Sequence, residues 1–136
     1  MELELLETVQ DHLPKGFVPY SIYCMMVNHQ EVGRLVLRHG NDEQCYIEGH
    51  IGYTVEPEFR GHGYAYEACM LLKNQIDNDE LYMTCDPNNI PSLKTIEKLG
   101  CLYIETKAIP SHMRKFFSQD EKEKMIFKWK IERRTK

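Results

Sequence analysis

Positive charge is in short supply in this chain of 136 residues. Seventeen lysines and arginines face twenty-one aspartates and glutamates, for a net charge of −4. A general nucleic-acid binder needs a basic surface to neutralise phosphates, so that class of partner is not expected. Residues 121–136 are the exception, with seven basic and three acidic residues. They read as a solvated edge strand with an exposed tail rather than an RNA-binding arm. Long apolar runs are also missing. The longest, Ile22–Val27, has six residues, against roughly 18 needed to cross a bilayer, so no membrane partner is expected. The opening Met1-Glu2-Leu3-Glu4 is acidic where a secretory leader would be basic. The five cysteines (24, 45, 69, 85 and 101) include no CxxC pair, and four lie in apolar stretches where a free thiol packs as a small hydrophobe. A reduced, cytoplasmic protein is the expectation. The six histidines lack the HxxxH or HxH spacing of metal ligands, so no metal is expected. There is no internal repeat, no GxxxxGK[ST] phosphate loop and no GxSxG nucleophile elbow.

What remains is ordinary globular composition, 42% hydrophobic and 28% charged, in a length suited to a single domain over 1–136. The first half reads as strands. One spans Tyr20–Asn28, followed by a turn at His29-Gln30. A second spans Glu31–Arg38, with Gly33, Leu35 and Leu37 on one face and Arg34, Val36 and Arg38 on the other. After a turn at His39–Asp42, a third strand is predicted from about Cys45 to Val55, stopped by Pro57.

The period then changes. Ala65, Ala68, Cys69, Leu72 and Ile76 predict an amphipathic helix of about four turns from His62 to about Asp77. A short buried strand follows at Leu81–Cys85. Asp86–Asn89 is a capping turn, and Pro91 suits the first turn of a helix that buries Leu93, Ile96 and Leu99 and ends at Gly100. Strands are predicted at Cys101–Lys107 and Met125–Ile131, with Phe127, Trp129 and Ile131 on one face. The long link Pro110–Lys122 holds a helical turn around His112–Phe117 and is the expected mobile piece. The order gives an α+β chain: a mixed, mostly antiparallel twisted sheet with one central parallel strand pair and helices on its faces.

The informative stretch is Ile51-Gly-Tyr-Thr-Val-Glu-Pro-Glu-Phe-Arg60-Gly-His-Gly-Tyr-Ala65. A strand runs into a proline turn, an arginine, two glycines and then a helix. A helix start leaves backbone N–H groups unpartnered and partly positive. Gly61 and Gly63 let a phosphate approach that backbone, and Arg60 adds charge. A tight turn alone would account for the glycines. The coincidence of arginine, two glycines and a helix start favours an anion site. A dinucleotide fingerprint fails because Tyr66 stands where a third glycine belongs.

Arg60-Gly-His-Gly63-Tyr-Ala65 resembles the [Q/R]-x-x-G-x-[G/A] pattern of the GNAT-type N-acetyltransferase superfamily. Downstream, Asn89-x-x-Ser92 and Glu97-Lys98-Leu99-Gly100 are similar to that family's second cofactor-contacting helix. These motifs cover roughly residues 45–107, and the flanking strands match by order alone. The two helices usual between the family's first and second strands have little room here, so part of the substrate lid is expected to be short or absent.

The resemblance implies an acetyl-CoA-dependent enzyme. The backbone of Arg60, Gly61, His62, Gly63, Tyr64 and Ala65 would cradle the pyrophosphate. Tyr53, Thr54 and Val55 would pair with the pantetheine arm as an added strand, and Asn89 and Ser92 would meet it from the other side. Asn89 reads equally as a plain N-cap. The acceptor, a small-molecule or protein amine, would attack the thioester directly, with a backbone N–H near Thr54–Val55 holding the carbonyl oxygen. Glu48 and His50, at the start of the central strand, are the candidate bases; Glu48 reads equally as an edge charge and His50 as a packed strand residue. Ile96 stands where many members carry the tyrosine that protonates the leaving thiolate, which leaves water, Tyr103 or no dedicated acid. That departure and the short N-terminal region also fit an alternative, a non-catalytic CoA-binding sensor or interaction module. A monomer or homodimer is expected.

Overall fold

A computed structural model describes residues 1–132; the last four residues of the predicted basic tail lie outside the described residues. Seven strands and three α-helices are found among the described residues. The first strand, β1 (Glu2–Val9), is nearly all exposed and was not expected from the sequence, since Leu5 and Leu6 are exposed among the glutamates and blur any alternation. β2 (Tyr20–Val27) and β3 (Gln30–Arg38) form a hairpin whose two-residue turn is Asn28-His29, both at positive φ. This is one residue earlier than expected. Residues 10–19 join β1 to β2 without a helix, as their shortness implied.

The predicted strand from Cys45 is corrected. Residues Glu43–Glu48 form a short helix, α1, and only Ile51–Val55 form the strand β4. Asp42 caps α1 by accepting from the Cys45 N–H at 3.2 Å, and Gly49 ends it at φ +84. An N-cap residue and a glycine seven positions later were the available signal. The apolar residues between them gave a strand-like run instead.

After a 3₁₀ turn at Pro57–Phe59, helix α2 (Tyr64–Leu72) follows. It is shorter than the predicted His62–Asp77, because backbone bonds from Lys73, Asn74 and Gln75 close a terminal turn. Strand β5 (Glu80–Cys85) leads to α3 (Ile90–Lys98), capped by Asn89, and the chain finishes with β6 (Leu102–Ala108) and β7 (Glu123–Lys130). A 3₁₀ helix at Ser111–Phe116 supplies the helical turn expected between them.

The architecture is α+β, as predicted. The hydrogen-bonded sheet divides at its centre into β1-β2-β3-β4 and β5-β7-β6, every pair within each half antiparallel. One face carries the main core. Leu35, Leu37 and Ile51 of the first half and Leu81, Met83, Phe127 and Trp129 of the second meet Ala68, Cys69 and Leu72 of α2 and Ile96 of α3 there. On the opposite face, Ile47 of α1 packs with Ile109, Met113 and Ile126. All five cysteines are free thiols. Burial pushes Cys69 and Cys101 up to about 12, so both are inert packing groups. No helix among the described residues is long and apolar enough to cross a membrane.

Gly33 sets how closely β3 approaches β4. A Cβ there would lie 2.4 Å from the Thr54 carbonyl oxygen. Gly33→Ala therefore pushes the two strands apart and costs roughly 1–3 kcal/mol. Urea unfolding checks this: the midpoint falls while the slope stays constant.

Candidate active site

The site begins at the seam between the two half-sheets. Beyond one joint, no ladder connects β4 to β5 among the described residues. At the joint, the His50 N–H donates to the Tyr82 carbonyl at 2.9 Å, and the Tyr82 N–H donates to His50 Nδ1 at 2.8 Å. His50 Nε2 meets the Gly40 carbonyl at 2.6 Å, and the imidazole stacks on the Tyr82 ring with 8° between planes. His50 is 3% exposed. These partners fix one tautomer: the proton sits on Nε2 and the Nδ1 lone pair is taken. Burial lowers its pKa from the ordinary 6.5.

Past the joint the strands diverge, and backbone direction follows from register. The Arg38 N–H bonds the His50 carbonyl, and the Glu56 N–H bonds the Val32 carbonyl. In an antiparallel pair the bonding residues alternate. Gly52 and Thr54 therefore aim their backbone at β3, while Ile51, Tyr53 and Val55 aim theirs at the gap. This corrects the expectation for Thr54, whose backbone groups belong to the β3 ladder. Tyr53 and Val55 keep an open edge, and Arg60 Nε already donates to the Val55 carbonyl at 3.0 Å.

The gap is a slot of about 180 Å³ whose lining includes Glu48, Tyr53, Thr84, Asn89 and Ser92. The Tyr53 hydroxyl donates to Ser92 Oγ at 3.2 Å, and burial raises the Tyr53 pKa above its usual 10.0. Asn89 Oδ1 accepts from the Ser92 N–H at 3.3 Å, so the N-cap role of Asn89 is met and it lines the slot as well.

On the α2 face, Gly61 and Gly63 stand at φ +89 and +73, with nothing within 4 Å of a Cβ on either. Gly63 is the helix N-cap and provides no side-chain cap; the first helical bond runs from the Glu67 N–H to the Gly63 carbonyl. The N–H groups of Tyr64, Ala65 and Tyr66 thus have no intrahelical partner. His62 is fixed by its Nδ1 on the Phe59 carbonyl at 3.0 Å and stacks on Tyr64 at 5.2 Å. Only the Arg60 N–H is already spent, on the Pro57 carbonyl. The loop exposes a line of donors with aromatic and arginine side chains beside it, an arrangement suited to an anion.

On the α1 face, Glu48 ends the helix instead of opening the strand, which corrects its expected position but leaves its carboxylate in the slot. Its side chain is 12% exposed and lies 3.5 Å from Arg38 Nε. Gln44 Nε2 donates to Glu48 Oε2 at 2.7 Å, while Gln44 Oε1 accepts from the Val18 N–H at 3.0 Å. Gln44 also lines a separate cavity of about 400 Å³, with Lys15, Glu43, His112, Met113 and Phe116. Tyr103 stands away from all of this: it is exposed on β6, with its hydroxyl on Thr106. Ile96 is buried in the main core.

A family model described as the acetyltransferase (GNAT) domain matches residues 5–102. The chain belongs to the GNAT acetyltransferase family. Among curated proteins it is 27% identical over 114 residues to the uncharacterized N-acetyltransferase YnaD of Bacillus subtilis (strain 168), covering 68% of this chain and 65% of that protein. Among solved structures, it resembles the RimL ribosomal L7/L12 alpha-N-protein acetyltransferase in complex with coenzyme A, with a TM-score of 0.65 and 14% identity over 82% of this chain and 62% of that one. The microcin C7 self-immunity acetyltransferase MccE, in complex with acetyl-CoA and AMP, gives a TM-score of 0.65 at 15% identity, over 82% of this chain and 61% of its own. This GNAT chain therefore spans just under two thirds of the length of these relatives.

The buried neutral His50 generates a prediction with a definite sign. Its folded pKa lies below 6.5, so as pH falls the unfolded chain takes up the proton first. Its contribution to stability is complete above the unfolded pKa and is lost as pH drops through the folded value. His50→Gln should flatten that part of the profile and, by orphaning the Tyr82 N–H, cost about 1–3 kcal/mol at neutral pH. Calorimetric Tm between about pH 7.5 and about pH 5 measures both; equal pH slopes in the two proteins would refute the neutral pin.

Proposed function

We propose that this protein transfers the acetyl group of acetyl-CoA to a primary amine by direct attack on the thioester. The observation that carries this reading is the juxtaposition of an open β4 edge, a left-handed glycine loop at the start of α2, and a carboxylate on the opposite face of the same slot. When bound, acetyl-CoA supplies the activated acetyl group.

The backbone of Gly61, His62, Gly63, Tyr64 and Ala65, with the Arg60 side chain, holds the pyrophosphate. The open backbone groups of Tyr53 pair with the pantetheine arm, the Val55 carbonyl being held by Arg60, and Asn89 and Ser92 contact the arm from α3. The Val55 N–H faces the gap and is the donor for the carbonyl oxygen, preorganised by the β3 ladder. The amine nitrogen bonds to the acetyl carbon and the C–S bond breaks with its electron pair on sulfur. The nitrogen's proton passes to Glu48. The hydrogen-bonded hydroxyls of Tyr53 and Ser92 supply the proton to sulfur in place of the absent tyrosine at position 96. Burial keeps Tyr53 protonated and able to donate. His50 fixes the apex of the slot and takes no proton, since both its nitrogens are engaged.

The acceptor approaches from the α1 face, where Glu48 and the larger cavity share Gln44. One structural neighbour is an acetyltransferase of a protein α-amine. Peptides with a free N-terminus and small amines are therefore the acceptors to offer first. The buried Ile96 keeps a second reading in view, a CoA-binding module without turnover.

Free-thiol release from acetyl-CoA with such a panel separates the two readings: turnover is expected, and tight CoA binding without turnover establishes the module. Glu48→Gln should lower kcat by about 10²–10⁴ with little change in the KM for acetyl-CoA. Gly63→Trp projects into open space, so the fold survives a left-handed penalty of roughly 1–2 kcal/mol. By calorimetry its CoA affinity should fall at least about tenfold; unchanged affinity removes the phosphate assignment.

A further inference from the structure

Thr84 lies on β5 two residues beyond the Tyr82 joint. Because both backbone groups of Tyr82 face β4, alternation turns those of Thr84 toward the gap as well. Its side chain leaves the sheet on the α1 face. Its cross-strand partner Ile126 packs there with Ile47, and Tyr82 packs against the same cluster. Leu81, Met83 and Cys85 point the other way, into the main core. Among the described residues, Thr84 Oγ1 is the one buried side-chain oxygen or nitrogen with no hydrogen-bond partner. An isosteric valine would avoid that penalty. The bare α-carbon of Gly49 lets the chain pass close beside the hydroxyl, since a Cβ there would stand 3.3 Å from Thr84 Oγ1. The next residue back is Glu48, and both Glu48 and Thr84 line the slot.

We infer that Thr84 is the β5-side anchor for the acceptor's amino nitrogen: its hydroxyl oxygen accepts a hydrogen bond from one N–H while Glu48 faces the nitrogen from α1. The contact fixes the nitrogen between two acceptors, one on each side of the seam, so that its lone pair is aimed into the slot. A hydroxyl serves this purpose better than a second carboxylate, because it orients the nitrogen without competing for the proton. The inference rests on the acetyl-transfer reading above and assigns a substrate contact that the anion loop and Glu48 do not provide.

Thr84→Val removes the hydroxyl and keeps the branched shape; Thr84→Ser keeps the hydroxyl. The probes are acetyl-CoA with spermidine and with a short peptide bearing a free N-terminus, alongside thermal unfolding of each variant. Thr84→Val is expected to lower kcat/KM for the amine at least tenfold, with the KM for acetyl-CoA unchanged and Tm equal to or above wild type. Thr84→Ser is expected to restore most of the rate. An active wild type with an equally active Thr84→Val overturns this inference alone. So does a loss of rate that tracks a fall in Tm and is not rescued by serine. A wild type that turns over neither probe overturns the acetyl-transfer reading, and the Thr84 assignment with it.

Discussion

Two strands are tied together at a single residue pair and released immediately beyond it. His50 and Tyr82 exchange a backbone bond and a ring-nitrogen bond, and their rings stack beside the joint. Were β4 and β5 zipped along their length, the sheet would be continuous and its centre would have no room. Were they not tied at all, the two half-sheets could slide and the facing groups would lose register. One buried, uncharged imidazole resolves this by satisfying the Gly40 carbonyl and the Tyr82 N–H at once. Its use as a structural wedge explains why a residue with a suitable intrinsic pKa has no lone pair to spare.

The second constraint is electrostatic and local. The first turn of α2 has a left-handed glycine where a serine or aspartate cap would otherwise stand, so its donors stay free. Gly61 adds a further left-handed turn before it. The consequence is a loop whose backbone direction, more than its side chains, is suited to negative charge. Arg60 reinforces this while its Nε braces the Val55 carbonyl, linking the anion loop to the open strand edge.

Much of this was legible in the sequence because the relevant signals are short-range. The Arg-Gly-x-Gly turn, the Asn89 cap and the alternation of β3 and β7 each depend on neighbours a few residues apart. What escaped depends on contacts distant in sequence or on cancelling local signals. Cys45-Tyr46-Ile47 favours a strand by composition, and only the Asp42 cap and Gly49 stop turn it into a helix. The role of His50 could not be read without knowing that Gly40 and Tyr82 converge on it. The direction of the Thr54 backbone follows from register with β3, which no local pattern encodes. Thr84 gave no signal at all, since an orphaned hydroxyl is visible only once its surroundings are assembled.

Gln44 uses one end of its carboxamide to hold the Val18 N–H and the other to hold Glu48. The carboxylate is thereby tethered to the connection between the first two strands, the segment where this chain carries ten residues and no helix. Lengthening or reshaping that connection would displace the amide and swing the carboxylate with it, leaving the anion loop and the open edge of β4 undisturbed. On the proposed reading, the fold thus separates the part that would grip the coenzyme from the part that would meet its second substrate. Insertions at one surface loop could accordingly diversify acceptor choice over evolutionary time without rebuilding the scaffold.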